Sequence, residues 1–229
     1  MHTGQHYDRA MSQVFFDQFE LRPDHVLELH PGSGGMQFAQ MTTQLVETME
    51  RLKPDVVLVP GDVNSTLAGA LAAQRLGIPL GHLEAGLRSF DRSMPEEINR
   101  ILVDQLSSMH FVTEDSGLQH LKAEGLDAGH NVHFVGNTMI DTLVAFSPQI
   151  EQSTILADLG LAASDEFYLL TMHRPATVDN REGCSFVVDL IHRLCADANV
   201  VFPIHPRTQK NLEAFGLDDV LNHPKLKKT

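Results

Sequence analysis

The chain has 229 residues, of which 42% are hydrophobic and 21% charged, so it can bury the core of one or two domains. Its formal net charge of −13 argues against nucleic acid and anionic membranes as partners, because phosphate contacts require a basic face. No run of residues is apolar enough to span a bilayer and the first residues are polar, unlike a signal peptide, so the sequence predicts a cytoplasmic protein.

Apolar runs and helical patterns alternate along the chain, which is typical of an α/β fold with a doubly wound parallel sheet. In chain order the pattern predicts helices at 8–20, 36–52, from 64, from 95, 115–124 and 139–146, with strands at 55–59, 78–83, 109–113 and 131–135. The segment 147–164 is predicted to connect to a second domain, which contains apolar runs at 167–172 and 200–204. These patterns divide the chain into domains at 1–147 and 148–229.

Three acidic residues lie where a predicted strand ends or a predicted helix begins. Asp62 follows the first strand, which has the composition of a buried parallel strand, Glu84 ends the second strand, and Glu96 follows Pro95 at a helix start. Because ligands bind outside the carboxyl ends of parallel strands, we expect Asp62 and Glu84 to face one crevice. Carboxylates that converge on a crevice indicate proton transfer or stabilisation of developing positive charge.

Each of these acids also has a structural alternative. Glu96 fits the last position of a capping box, and it has the i,i+4 spacing of an ion pair with Arg100. Asp62 could complement the positive end of the helix that follows it, and Glu84 could bind Arg88. Capping does not explain why all three acids fall at such positions, and their arrangement therefore favours a functional role.

Cysteine and histidine spacing indicates neither a disulfide framework nor a metal site. Cys184 and Cys195 both fall in a helical pattern, and the thirteen histidines lack the i,i+4 pair and the Cys/His clusters of metal sites. We expect two reduced thiols and no bound metal. His6, His173 and His205 are better placed than the other histidines, because each follows a segment where a strand is predicted to end.

Six short runs follow one another along the chain, at 3–6 (TGQH), 61–67 (GDVNSTL), 82–88 (HLEAGLR), 95–100 (PEEINR), 136–138 (GNT) and 173–174 (HR). In this order they resemble the signatures of the non-hydrolysing UDP-N-acetylglucosamine 2-epimerase family, over nearly the whole chain. The resemblance implies two Rossmann-like domains of the glycosyltransferase-B type, with 148–229 as the start of an incomplete UDP-binding domain. It also implies that the family's first strand and helix are absent from the chain.

The resemblance implies an isomerase that eliminates UDP from UDP-N-acetylglucosamine to form 2-acetamidoglucal and adds it back to give UDP-N-acetylmannosamine. The reaction uses neither a metal nor NAD, and it supplies precursors of cell-surface polysaccharides. The implied catalytic residues are Asp62, Glu84, Glu96 and His173. The implied substrate-binding residues are Arg88, Asn99, Arg100, Asn137 and Arg174. A regulatory site for a second substrate molecule is implied, beside the active site, at Gln5, His6, Gln37 and His205.

Alternatives to this activity remain open at the level of sequence. The segment 88–97 also resembles relatives that act on UDP-2,3-diacetamido-2,3-dideoxy-glucuronic acid. A nucleotide-sugar glycosyltransferase shares the fold, and a truncated, inactive sugar-nucleotide-binding protein is the alternative outside enzymes. For the isolated chain we expect weak binding of the UDP-sugar, no epimerase activity, and an unpaired sheet edge that favours self-association. The family resemblance implies a homodimer.

Overall fold

The computed structural model of the protein describes residues 1–4, 13–127 and 131–229. It divides into two compact units, Met1–Phe146 and Ser147–Thr229. Each unit alternates strands with helices around a parallel sheet, which confirms the α/β fold class.

The first unit is built on a four-stranded sheet in the order β1-β2-β3-β4, in which every pairing is parallel. The strands are β1 (Val57–Pro60), β2 (Leu80–Ala85), β3 (Met109–Val112) and β4 (Asn131–Phe134). The helices are α1 (Gln13–Gln18), α2 (Gly34–Leu52), α3 (Asn64–Arg75), α4 (Pro95–Leu106), α5 (Asp115–Ala123) and α6 (Thr138–Glu151), the last of which ends beyond the unit boundary.

The second unit has a three-stranded parallel sheet in the order β5-β6-β7. Its strands are β5 (Phe167–Leu169), β6 (Asn199–Phe202) and β7 (Leu226–Lys228). Its helices are α7 (Ile155–Asp158), α8 (Pro175–Val178), α9 (Arg181–Asp197) and α10 (Pro206–Ala214), followed by a 3₁₀ turn at Asp218–Asn222. The two cysteines lie in α9, as the helical pattern predicts, and both thiols are free and buried.

Helix α3 packs closely against its neighbours, because its buried face consists largely of alanine and glycine. Ala68, Ala70, Ala72 and Ala73 are fully buried, and a Cβ on Gly69 would lie 3.1 Å from the Val59 side chain of β1. Small side chains allow the backbones of helix and strand to approach closely. This packing fixes the start of α3 next to the end of β1, where the first predicted acid lies.

The prediction of a buried first strand is wrong for part of β1. Val56 and Leu58 are 45% and 52% exposed, and of the strand only Val59 is buried. β1 pairs with β2 on one side, and the described residues provide no strand on its other side. A cavity of about 780 Å³ runs along this edge, and its lining includes His2, which forms an isolated parallel bridge with Val26. Without a neighbouring strand, one face and one edge of β1 stay open.

Two predicted helices have different bounds in the structure. Of the helix predicted at 8–20, the structure shows α1 over Gln13–Gln18, and 5–12 lie outside the described residues. α6 continues past Pro148 to Glu151, where the sequence predicted an end at 146. A proline removes one helical hydrogen bond and bends a helix, but it does not by itself end one.

Candidate functional site

Asp62 and Glu84 lie at the carboxyl ends of two adjacent parallel strands. The register of β1 and β2 pairs Pro60 with Leu83, and the Gly61 N–H donates to the Leu83 carbonyl at 3.0 Å. Asp62 comes two residues after the first member of this pair and Glu84 comes one residue after the second. The sheet therefore brings the two acids to the same edge.

Glu96 is carried to this edge by helix α4. Asn99 donates its amide to the Asp62 carbonyl at 2.8 Å and to the Asn64 side chain at 3.1 Å, while the Arg100 guanidinium pairs with the Asp62 carboxylate. Residues three and four apart share one face of a helix, so Glu96 lies on the face of α4 that holds Asp62.

Glu84 has a left-handed backbone with a φ of 69° in an irregular part of β2, where the register shifts between Leu83 and Ala85. Such a conformation is unusual for a residue with a side chain, and a bulge in a strand redirects the side chain beside it. Gly86 follows with a φ of 80°, and a Cβ there would overlap the carbonyl group of Gly117. The close approach of α5 therefore holds the turn that presents Glu84.

The structure contradicts the capping alternative for Glu96. The N-cap of α4 is Met94, whose side chain makes no capping hydrogen bond. Arg100 pairs with Asp62 and, at 3.2 Å, with Glu97, so the predicted i,i+4 pair with Glu96 does not form. The Glu96 side chain is half-buried and has no hydrogen bond or ion pair with any described residue.

The ion pair predicted between Glu84 and Arg88 is also absent. The Arg88 side chain is 1% exposed, and its guanidinium contacts both oxygens of Glu124 at 2.7 Å and Asp104 at 2.7 Å. Burial alone would lower the pKa of Arg88, but the hydrogen bonds and charges of the two acids outweigh it and raise the pKa. Arg88 thus serves an internal network, and a substrate contact by its guanidinium would require those ion pairs to break. Glu84, like Glu96, has no such partner within the described chain.

Glu97 is a buried acid that sequence reasoning missed. Its carboxylate is 1% exposed and accepts hydrogen bonds from the Ser89 and Phe90 N–H groups, both at 2.9 Å, and from the Ser89 hydroxyl at 3.1 Å. Burial alone would raise the pKa of Glu97, but these bonds and the charge of Arg100 hold it below its usual range. Glu97 therefore fixes the loop before α4. The available signal was its i,i+3 spacing to Arg100, which we assigned to the neighbouring glutamate.

Asp104 and His82 form a second buried pair that the sequence did not reveal. Both side chains are fully buried, and His82 Nδ1 lies 2.6 Å from an Asp104 oxygen. The other ring nitrogen, Nε2, lies 2.8 Å from the Gly61 carbonyl, and the second Asp104 oxygen accepts from the Gly86 N–H at 3.1 Å. Two polar residues inside an apolar strand and an apolar helix face were the only sequence signal.

In the second unit, the structure brings His173 and His205 together. They follow the adjacent parallel strands β5 and β6, and their rings stack with centroids 5.6 Å apart and an interplanar angle of 23°. His205 is the N-cap of α10, where its Nδ1 accepts from the Arg207 N–H at 3.1 Å. Arg174 is the exposed N-cap of the short helix α8. The resemblance assigned the two histidines to different sites, whereas here they are neighbours.

Asn137 and Gln37 lie at the starts of other helices of the first unit. Asn137 is exposed after β4, and its side-chain oxygen accepts from the Met139 N–H at 2.9 Å. Gln37 is half-buried in the first turn of α2. Gln5 and His6 lie outside the described residues.

Over 1–4, 13–127 and 131–229, no group of three or more His, Cys, Asp or Glu side chains is arranged to hold a metal ion. No helix of the same residues combines the length and the apolar character required to cross a membrane.

A protein-family model described as UDP-N-acetylglucosamine 2-epimerase matches residues 1–227. Among similar proteins, the UDP-N-acetylglucosamine 2-epimerase of Methanococcus maripaludis is 40% identical over 228 residues, which cover 97% of this chain and 62% of the relative. The UDP-2,3-diacetamido-2,3-dideoxy-D-glucuronate 2-epimerase of Pseudomonas aeruginosa is 41% identical over 220 residues, which cover 95% of this chain and 61% of the relative. The chain thus spans less than two thirds of the length of these relatives.

Solved structures show the same similarity. The UDP-GlcNAc 2-epimerase of Methanocaldococcus jannaschii, in complex with UDP-GlcNAc and UDP, matches with a TM-score of 0.85 and 38% identity, covering 100% of this chain and 64% of that one. The UDP-GlcNAc 2-epimerase of Neisseria meningitidis, bound to UDP-GlcNAc, matches with a TM-score of 0.86 and 29% identity. The match covers 99% of this chain and 62% of that one.

Proposed function

The chain belongs to the UDP-N-acetylglucosamine 2-epimerase family, and we propose that the protein interconverts UDP-N-acetylglucosamine and UDP-N-acetylmannosamine. The observation that carries the proposal is the meeting of Asp62 and Glu84 at adjacent strand ends, with Glu96 on the helix face that holds Asp62. The UDP-GlcNAc complex of the M. jannaschii relative supports the choice of substrate.

The chemistry explains why such a site needs several carboxylates. C2 of the sugar is not next to a carbonyl group, so its hydrogen is too weakly acidic for simple abstraction. Elimination breaks the C1–O bond to UDP and the C2–H bond, and leaves 2-acetamidoglucal. UDP then adds back to C1 while a proton is delivered to the opposite face of C2. The ring carries positive character in the transition state, which a fixed carboxylate stabilises.

The contacts of the three acids suggest a division of roles. The charge of Asp62 is already shared with Arg100, so we assign Asp62 to stabilising the positive character of the ring. Glu84 and Glu96 have no ion pair or hydrogen bond within the described residues, and we assign them to removing and returning the C2 proton. Because they lie on different elements, a strand end and a helix start, we assign them to opposite faces of the ring.

The remaining roles rest on the family resemblance. We assign His173 to assisting at the diphosphate or as a general acid, and Arg174, which is exposed beside it, to binding the substrate. We further assign to substrate binding Asn99, Arg100, Asn137 and Arg88, the last of which must first release Asp104 or Glu124. We assign to the regulatory site Gln5, His6, Gln37 and His205.

A chimera tests the activity independently of chain length. This chain replaces the matching segment of the M. maripaludis relative, which itself serves as the positive control. The chimera is incubated with UDP-N-acetylglucosamine in deuterated water without NAD or metal, and we expect UDP-N-acetylmannosamine that carries deuterium at C2. Retention of the original hydrogen, or a requirement for NAD, would rule out the elimination route. Transfer of the sugar to an acceptor would indicate a glycosyltransferase instead.

A second candidate substrate is UDP-2,3-diacetamido-2,3-dideoxy-glucuronate. The 41% identity with the P. aeruginosa relative favours it as much as the similarity to M. maripaludis favours UDP-N-acetylglucosamine. Parallel assays of the chimera with both UDP-sugars, compared as kcat/KM, decide between them.

We also propose a cytoplasmic homodimer. Two buried free thiols, Cys184 and Cys195, suit a reducing compartment.

Helix α6 carries an exposed apolar surface that suits a contact with a second copy. It buries no residue, and it exposes Ile140 and Val144, one turn apart, by 59% and 65%. Light scattering after gel filtration should show a dimer that Val144→Glu dissociates, whereas Phe186→Glu, at an exposed apolar site on α9, should not.

A further inference from the structure

His82 has a hydrogen-bond acceptor at each of its two ring nitrogens. Nε2 lies 2.8 Å from the Gly61 carbonyl, and a carbonyl oxygen can only accept, so Nε2 carries a proton. Nδ1 lies 2.6 Å from Asp104, with both side chains fully buried. Whether Nδ1 donates or accepts therefore depends on whether the Asp104 carboxyl group is ionised.

Asp104 is held in its ionised form by its surroundings. Burial alone would raise its pKa, but the hydrogen bond and charge of His82 and the charge and hydrogen bond of Arg88 outweigh it, so the pKa of Asp104 lies below its usual range. The carboxylate also faces the Arg88 guanidinium at 2.7 Å and the Gly86 N–H at 3.1 Å, so Nδ1 of His82 is its third donor. Arg88 in turn pairs with Glu124 at 2.7 Å, so the buried charges of Asp104 and Arg88 are each compensated.

The Asp104 carboxylate reaches the turns that present both strand-end acids. Through His82 it fixes the Gly61 carbonyl, one residue before Asp62. Its other oxygen binds the Gly86 N–H at 3.1 Å, two residues after Glu84.

The third acid belongs to the same helix as Asp104. Glu96, Arg100 and Asp104 follow one another at intervals of four residues in α4, so they lie along one helix face. The backbone of α4 is held at the same place, because Nε2 of the buried His110 donates to the Asp104 carbonyl at 2.8 Å.

We propose that Asp104, acting through His82, is the positioning residue that sets the mutual geometry of Asp62, Glu84 and Glu96. A well-packed apolar side chain would stabilise the fold as well as a buried ion pair does, but it could not fix the direction of a carbonyl and an N–H group. The catalytic meaning of this geometry rests on the proposed epimerase function. The hydrogen bonds of Asp104 and His82 do not depend on that function, so the positioning role and the proposed function can fail separately.

Three substitutions separate positioning from stability. Asp104→Ala removes every contact of the carboxylate. Asp104→Asn keeps them, because its amide can donate to His82 Nδ1 while its oxygen accepts from the Gly86 N–H, and the ring stays able to donate from Nε2. Val103→Ala is the matched control, because it opens a cavity at the adjacent, fully buried position of α4 and removes neither of the side-chain hydrogen bonds to Gly61 and Gly86.

The 229-residue chain is labelled with ¹⁵N, and the ring nitrogens of His82 are observed together with the amides of Gly61, Asp62 and Gly86. We expect two protonated ring nitrogens in the native chain, and loss of the Nδ1 proton in Asp104→Asn with the amide signals preserved. Asp104→Ala should shift the amides of both turns well beyond the changes in Val103→Ala. Equal shifts in the two alanine variants would overturn the proposal.

Turnover in the chimera gives the second readout. Asp104→Ala should lower kcat about 100-fold, the cost of a misplacement near 1 Å, and Asp104→Asn should recover most of it. Unchanged turnover in Asp104→Ala would also overturn the positioning role. If the chimera with native Asp104 has no activity, the proposed function fails, and the amide signals still decide whether Asp104 holds the two turns.

Discussion

The guanidinium group of Arg100 is paired with the carboxylate of Asp62, and it reaches Glu97 at 3.2 Å on its other side. The pair ties the middle of α4 to the loop that follows β1. It also divides the three acids into one whose charge is compensated and two, Glu84 and Glu96, that have no partner within the described residues. This division leads to different expectations for the three amide variants.

In the chimera, Asp62→Asn, Glu84→Gln and Glu96→Gln should each lower turnover by at least about 100-fold, as expected for the loss of an electrostatic stabiliser in the first case and of a positioned acid or base in the other two. Thermal unfolding should separate them. Glu84→Gln and Glu96→Gln should melt like the unmodified protein, whereas Asp62→Asn should lose up to about 1 kcal/mol, because its ion pair is partly exposed. The exposed Glu50→Gln on α2 is the control for both measurements. A Glu96→Gln variant that melts early and turns over normally would show a structural role.

Glu97 should contribute stability that depends on pH. Its pKa is held low in the folded protein, so its contribution is fully present above about pH 4.5, the ordinary value, and is lost as the pH falls through the folded value. At neutral pH, Glu97→Gln should lower the free energy of unfolding by about 1–3 kcal/mol, because the hydrogen bonds from Ser89, Phe90 and Arg100 lose a charged acceptor.

Urea unfolding of native protein and Glu97→Gln, at several pH values from 7 to 3, measures this contribution. The difference between them should shrink below about pH 4.5. Glu50→Gln, at an exposed position, should show no such difference. A difference that is constant across the range would mean that the pKa of Glu97 is unchanged on folding.

The sequence predicted the features of the site that depend on local pattern. The ends of β1 and β2 follow from apolar runs that stop at charged residues, and the start of α4 follows from Pro95, because proline suits the first position of a helix. The prediction that ligand-facing acids gather at the carboxyl ends of parallel strands depends only on those ends.

The buried network could not be predicted in this way, because its partners are far apart in the chain. Asp104 is 22 residues from His82, and Arg88 is 36 residues from Glu124. A local pattern shows that such residues are polar, but only packing shows which of them meet. The same limit explains the wrong partner for Arg100, since the i,i+3 and i,i+4 spacings to the two adjacent glutamates look alike.

The 229-residue chain should bind UDP-N-acetylglucosamine weakly. The guanidinium groups of Arg88 and Arg100 are already paired, with Asp104 and Glu124 and with Asp62 and Glu97, so a diphosphate would have to displace these acids. Calorimetric titration of the chain, with the chimera as the comparison, should show a dissociation constant well above the micromolar range for the chain alone. Micromolar binding would show that these groups rearrange around the ligand.

The open edge of β1 should promote self-association in addition to any defined dimer. Val56 and Leu58 are 45% and 52% exposed beside an edge that has no neighbouring strand among the described residues, and such edges pair with other chains unless a charge blocks them. Leu58→Lys should therefore reduce the concentration-dependent growth of large species seen by light scattering. Phe186→Lys, at a similarly exposed apolar position on a helix, is the control and should change it little. If both lysine variants suppress association equally, net charge rather than the β1 edge is responsible.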